Sequence, residues 1–124
     1  MNLIRFKLVT ADEFVANSDI ILDASKLVES YVVGATCVMT FAAGSANSIM
    51  TWTFDGTDAA EKLLNGMKLQ NEFLRIATIA ANHNQTGVLD FFPPGETIDE
   101  FGVRLGIVHT GGTAGTGLVQ VVLT

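Results

Sequence analysis

The residues most suggestive of chemistry are the glycines of segment 110–117, close to the C-terminal end of the sequence. The backbone N–H groups of a glycine-rich loop that follows an apolar strand can cradle a phosphate. In that case Gly111, Gly112, Gly115 and Gly117 would contact the ligand. The lysine of a P-loop and the acidic residue of a dinucleotide fold are both missing, and a strand pattern follows instead of a helix. We therefore expect a turn here, and a small-molecule- or phosphate-binding domain is the alternative function.

A nucleophile or a general base is the second kind of chemistry to consider. Cys37 lies in an apolar stretch without a neighbouring cation or helix N-terminus to stabilise a thiolate, so we expect a small buried side chain. His83 lies in a polar segment and His109 at the end of an apolar one. A catalytic histidine needs an orienting partner, and the sequence places none beside either residue. We therefore predict no catalytic residue and expect that the protein is not an enzyme.

Two groups of acidic residues are candidates for binding a hard cation such as Ca²⁺. One group, within 55–61, is led by Asp55 and Asp58, and the other lies within 96–100. Neither matches the alternating acidic loop of an EF-hand. The first suits the positive N-terminal end of a helix, and the second suits a solvated turn. We expect no metal and no cofactor, with Asp55 and Asp58 as the alternative ligands.

The composition of the 124 residues excludes further classes of protein. Hydrophobic residues make up 48% of the chain and charged residues only 16%, which excludes a disordered protein. The formal net charge is −6, so we expect no nucleic-acid partner. A single cysteine excludes an internal disulfide and a multi-cysteine zinc site.

The mean hydropathy of +0.39 raises the question of a membrane segment. Arg5 and Lys7 interrupt the first apolar run, so we expect no secretory signal peptide. The longest uncharged run, 30–54, is long enough to span a bilayer, but a polar cluster at 44–48 divides it as a turn divides two strands. We therefore expect a soluble protein without a membrane partner.

Hydrophobic periodicity predicts the order of the structural elements. Strict alternation predicts a hairpin between a strand over 31–42 and a strand over 49–54. A short apolar segment at 88–92 is ended by Pro93 and Pro94. The remaining predicted strands are 3–9, about 20–28, 102–109 and 118–123, the last two forming a pair.

Helical spacing replaces alternation over about 57–81. The apolar residues of this segment form two stripes that are out of register with each other. The register changes at Asn65 and Gly66, where one long helix kinks or where a first helix ends and a second begins, and we favour one helix. The first stripe contains Ala60, Leu63, Leu64 and Met67, and the second contains Leu69, Phe73, Ile76 and Ala80.

Together these elements predict one α+β domain over 1–124. It has a strand-rich part (1–55), the helix (57–81) and a glycine-rich part of strands and loops (87–124). We expect a mainly antiparallel sheet, either open or curved like a barrel, with the helix packed on it.

Four segments give the order strand, strand, hairpin and a helix that begins with an acidic residue. They are 4–8 (IRFKL), 15–22 (VANSDIIL), the threonine-rich hairpin 36–54 and 57–64 (TDAAEKLL). This order, over residues 1–80, resembles that of small virion-associated structural proteins of tailed marine phages, including cyanophages. The resemblance implies a structural role in a capsid, neck or tail, with other virion proteins as partners and no catalytic residue. It also implies a location in the virion or in the cytoplasm of the host cell.

The sequence thus predicts a non-enzymatic structural or assembly protein that forms a homo-oligomer. A surface with few charges suits contact between copies through strand edges and apolar faces. Besides small-molecule binding, the other alternative is a regulatory adaptor that binds one host protein through the helix or an exposed strand. The candidate interface residues are Phe91, Phe92, Phe101, Val119 and Val121.

Overall fold

The structure, a computed structural model of the chain, describes residues 2–82, 87–107 and 117–124. In these residues the α+β prediction is confirmed, with two open sheets and two α-helices around one hydrophobic core. The strands are β1 (Leu3–Phe6), β2 (Val9–Thr10), β3 (Glu13–Phe14), β4 (Ile20–Asp23), β5 (Leu27–Val33), β6 (Thr36–Phe41), β7 (Ser48–Phe54), β8 (Leu89–Asp90) and β9 (Leu118–Leu123). The helices are α1 (Ala59–Asn82) and α2 (Ile98–Leu105), and a 3₁₀ turn covers Ala24–Lys26.

The larger sheet has six strands in the order β3-β2-β9-β7-β6-β5, and every neighbouring pair is antiparallel. The predicted hairpin is confirmed as β6 and β7, whose alternation buries Met39 and Trp52 and turns threonines outward. The single strand predicted over 31–42 is wrong, because a turn divides it into β5 and β6. Gly34 makes that turn with a φ of 55°, a left-handed conformation that glycine adopts without strain.

The smaller sheet has three strands in the order β4-β1-β8. β1 is antiparallel to β4 and parallel to β8. The strand predicted over 3–9 is divided between the two sheets, because β1 ends at Phe6 and β2 begins at Val9 in the larger sheet. Across β1 and β8, Arg5 Nη1 lies 2.9 Å from Asp90 Oδ1.

One continuous helix, α1, covers the segment where the sequence leaves one or two helices open. Its second stripe lies in the core, where Leu69 and Phe73 are fully buried. The first stripe lies on the opposite side, where Leu64 and Met67 are exposed. The change of register therefore separates two faces of one helix. Of the helices that the structure describes, none is long and apolar enough to cross a membrane.

The strand predicted over 102–109 is wrong in its described part, because residues 102–105 belong to α2. A capping box starts α2: Glu100 N donates to Thr97 Oγ1 and Thr97 N donates to Glu100 Oε1, both at 3.1 Å. Gly106 ends the helix in the left-handed conformation, with a φ of 72°. The strand predicted over 118–123 is confirmed as β9, which pairs with β7 and β2.

The core lies between the helices and the inner faces of both sheets, and Trp52 stands near its centre. The Trp52 ring lies 6.1, 5.2 and 5.9 Å, between centroids, from the rings of Phe6, Phe91 and Phe92. Aromatic rings at such separations attract each other beyond their burial from water. Trp52 is the single tryptophan of the sequence, so its fluorescence reports on the core.

Candidate interaction surfaces

Of the candidate glycines, Gly111, Gly112 and Gly115 lie outside the described residues. Gly117 is buried, and its backbone joins the start of β9 to two other segments. Its N–H donates to Ile107 O at 3.3 Å, and its carbonyl accepts from Asp55 N at 2.7 Å. The backbone of Gly117 is therefore committed to contacts within the fold.

The acidic residues at the start of α1 hold the local backbone. Asp55 Oδ1 accepts from Gly56 N, and Asp58 Oδ1 accepts from Glu61 N, each at 2.8 Å. This is the stabilising role that acidic residues have at a helix N-terminus. Within 2–82, 87–107 and 117–124, no group of three or more His, Cys, Asp or Glu residues is arranged to hold a metal ion.

Cys37 lies on the inner side of β6 and is fully buried, in agreement with the expected small buried side chain. Burial raises the pKa of its thiol to about 11, which disfavours the thiolate that a nucleophile needs. The two histidines, His83 and His109, lie outside the described residues.

The candidate interface residues lie mostly inside the molecule. Phe91, Phe92, Phe101 and Val121 are at most 4% exposed, so their side chains fill the core and are not available to a second copy. Val119 is half-buried. Among the described residues, exposed side chains on three other surfaces are available for contact.

The first surface is the outer face, defined as the side of the larger sheet that points away from α1. Its side chains belong to β5, β6, β7 and the end of β9, and the strand register aligns them in rows across the sheet. Glu29 is the charged member of this set, so the outer face consists mainly of threonine and aliphatic side chains. The rows are Glu29, Thr40, Ile49 and Thr124; Tyr31, Val38, Thr51 and Val122; and Val33, Thr36, Thr53 and Gln120.

The second surface is the edge of β5, which ends the larger sheet in the described part of the chain. Val28, Tyr31 and Val33 are 63%, 43% and 57% exposed. Natural proteins protect sheet edges with lysine, proline or bulges. The bulge of β5 lies before Glu29, whereas the strand from Glu29 to Val33 pairs regularly with β6 and contains neither lysine nor proline. This stretch is therefore open to pairing with another strand.

The third surface is the α1 stripe, a row of exposed residues spaced alternately by four and three positions. This spacing is that of the a and d positions of a coiled coil. Leu64, Met67 and Leu74 are 48%, 46% and 47% exposed. The periodicity of the sequence indicates the first half of the stripe, up to Met67. The second half could have been found by continuing the same spacing of four and three positions beyond Met67. The α1 stripe consists of Ala60, Leu64, Met67, Asn71, Leu74, Thr78 and Ala81.

A network of charged side chains holds α2 against α1. Glu72, only 7% exposed, accepts from Arg75 Nε at 2.6 Å and from Arg104 Nη1 at 3.1 Å. Arg104 also donates to both carboxylate oxygens of Glu96, at 2.9 and 3.0 Å. The hydrogen bonds from Arg75 are the main reason why the pKa of Glu72 lies below its ordinary value.

Comparisons with protein-family profiles, with curated protein sequences and with solved structures each found no match.

Proposed function

We propose that this protein is a non-enzymatic structural protein that forms a homo-oligomer through its larger sheet. The observation that carries the proposal is the continuity between the β5 edge and the outer face. Val33 and Tyr31 belong to both, and Glu29 is the charged side chain of the shared surface. Monomeric proteins protect strand edges, and the β5 edge from Glu29 to Val33 contains neither lysine nor proline. A second copy paired along β5 would cover the edge and would continue the outer face across the contact.

The β5 edge suits an antiparallel contact with β5 of a second copy, centred on Tyr31. In that register, Glu29 of each copy faces Val33 of the other. The two carboxylates are therefore not opposed, which avoids a destabilising like-charge pair. Two larger sheets then become one continuous sheet, and the contact is two-fold symmetric because the same residues contribute from both copies.

We further propose that the oligomer is a component of a phage virion, with other virion proteins as partners. This part is supported by the resemblance of residues 1–80 to small structural proteins of tailed marine phages. Capsids, necks and tails are built from repeated contacts between copies, which the β5 edge and the outer face offer. Capsid and tail genes next to the gene of this chain would support the assignment, and metabolic genes in their place would contradict it.

Sedimentation equilibrium at micromolar concentration tests the assembly. The unmodified chain is expected well above its monomer mass of 13.2 kDa. A variant with Tyr31→Lys and Val33→Lys is expected at a lower mass than the unmodified chain, because lysines on a paired edge repel each other. Val103→Lys, at a residue of α2 that is 71% exposed, is the matched control and should keep the mass of the unmodified chain.

Trp52 fluorescence shows whether each variant is folded, because that side chain is fully buried. A folded Tyr31→Lys/Val33→Lys variant with the mass of the unmodified chain would overturn the contact through β5.

A further inference from the structure

The α1 stripe lies on the side of α1 directly opposite the residues that the helix buries against the sheet. Between Ala60 and Ala81 it extends for about 32 Å at the rise of an α-helix. Leu64, Met67 and Leu74 provide its large apolar side chains, each nearly half exposed. Asn71, the polar residue at its middle, is exposed.

We propose that α1 packs antiparallel against α1 of a second copy along the α1 stripe. The inference rests on the proposed homo-oligomer but uses a surface other than the β5 edge. In this register, the residue numbers of the two partners have the same sum for every facing pair along the two stripes. Leu64 of one copy contacts Leu74 of the other, and Met67 of one contacts Asn71 of the other. The apolar side chains of each stripe are thereby covered by the other stripe.

The charges that flank the stripe favour the antiparallel pair over a parallel one. In the antiparallel register, Glu61 of each copy lies beside Arg75 of the other, which places opposite charges together twice. A parallel pair would instead place Lys68 beside Leu63 of the other copy. Lys68 approaches the two-fold axis of the antiparallel pair, but its ammonium group is turned away from it. Its Nζ donates to Gly106 O of the same chain at 2.8 Å.

The α1 stripe and the β5 edge are separate surfaces of one molecule. The edge continues the plane of the sheet, whereas the stripe faces away from that plane. Helix pairing therefore stacks the copies in the order sheet, helix, helix, sheet. A chain that has two different two-fold contacts links many copies into a ring or an extended assembly.

Disulfide cross-linking between single-cysteine variants tests this pairing. Leu64→Cys and Leu74→Cys are made separately in a Cys37→Ala background. In the antiparallel pair the two copies of position 64 lie about 15 Å apart, too far for a disulfide, whereas position 64 adjoins position 74 of the other copy. Mild oxidation of the mixture should give about tenfold more cross-linked dimer than either variant alone, since a disulfide needs close Cα atoms.

The control replaces the second variant by Val103→Cys, an exposed residue outside the stripe, and should leave the mixture without cross-linked dimer. Cross-linking of Leu64→Cys alone, or none in the Leu64→Cys and Leu74→Cys mixture, would overturn the antiparallel pair. If the Leu64→Cys and Leu74→Cys mixture gives no cross-linked dimer, but the Tyr31→Lys/Val33→Lys variant still has a lower mass than the unmodified chain, the proposed function stands without the helix contact. If the unmodified chain is a monomer, both proposals fall.

Discussion

The Cγ1 methyl group of Val32 on β5 lies 2.8 Å from the position that a Cβ on Gly66 of α1 would take. Carbon atoms that are not bonded pack at about 3.5–4.0 Å, so glycine allows α1 to approach β5 at this point. The same approach brings Gln70 Nε2 within 3.0 Å of Ser30 Oγ. Gly66, which interrupts the apolar register of the sequence, is therefore a point of close approach between the helix and the sheet.

We expect Gly66→Ala to lower the free energy of unfolding by about 1–3 kcal/mol, because overpacking exceeds the ~1 kcal/mol that alanine gains in a helix. Urea denaturation followed by Trp52 fluorescence measures the change. In the Val32→Ala/Gly66→Ala double variant the loss should be smaller than the sum of the two single losses, because the methyl group has been removed. A more stable Gly66→Ala protein would contradict the close approach.

Glu72→Gln should destabilise the fold at neutral pH by about 1–3 kcal/mol, because two arginines lose the carboxylate that binds them. The folded-state pKa of Glu72 is below its ordinary value of 4.5. The contribution of Glu72 is therefore present above that pH and is lost as the pH falls through the folded-state pKa. Urea denaturation at a series of pH values should show the unmodified chain and Glu72→Gln converging in acid. If the difference in free energy of unfolding between the two proteins stays constant with pH, the result would count against the network. The control is Glu13→Gln, at an exposed residue.

Cys37 should make the fold sensitive to alkali. Burial raises the pKa of its thiol from 9.0 to about 11, so the folded chain holds the proton to a higher pH than the unfolded chain does. The free energy of unfolding is unaffected by this group below pH 9 and falls between about pH 9 and 11, in total by roughly 2–3 kcal/mol. Cys37→Ala, although less stable because of the cavity, should lack this part of the alkaline loss. Parallel pH profiles for the two proteins would refute the prediction.

Thr97→Ala should remove the cap of α2 and cost about 1 kcal/mol of stability. The Thr97 hydroxyl accepts from Glu100 N at 3.1 Å, and alanine cannot replace it. Thr97→Ser keeps the hydroxyl and is expected to retain most of the stability in the same urea measurement. Equal losses in the two variants would show that the hydrogen bond does not hold the helix.

Regular periodicity made part of the fold predictable from the sequence. β6 and β7 alternate for long enough to show which residues face inward, and α1 and β9 are long enough to be recognised as a helix and a strand. α2 was missed because it has only eight residues and contains Gly102, so its spacing is weak, although Thr97 and Glu100 form a capping pattern in the sequence. The order of strands depends on distant pairings, such as that of β9 with β2 and β7, which local patterns do not contain.

The sequence predicts a kind of interaction, but it did not identify the exposed residues that could take part in it. Low charge and many apolar residues predict contact between copies, but apolar side chains serve the core and the surface alike. Phe91 and Phe101 were expected at an interface and instead fill the core. Tyr31 and Leu74 are exposed because of where β5 ends the sheet and how α1 is rotated on it, and both depend on tertiary packing.

The mass of the unmodified chain in solution tests the central claim most directly. Sedimentation equilibrium over a dilution series in the micromolar range should give an average mass above 13.2 kDa that falls on dilution as the copies separate. A mass of 13.2 kDa at every concentration in the series would contradict self-association through the sheet and through the helix alike.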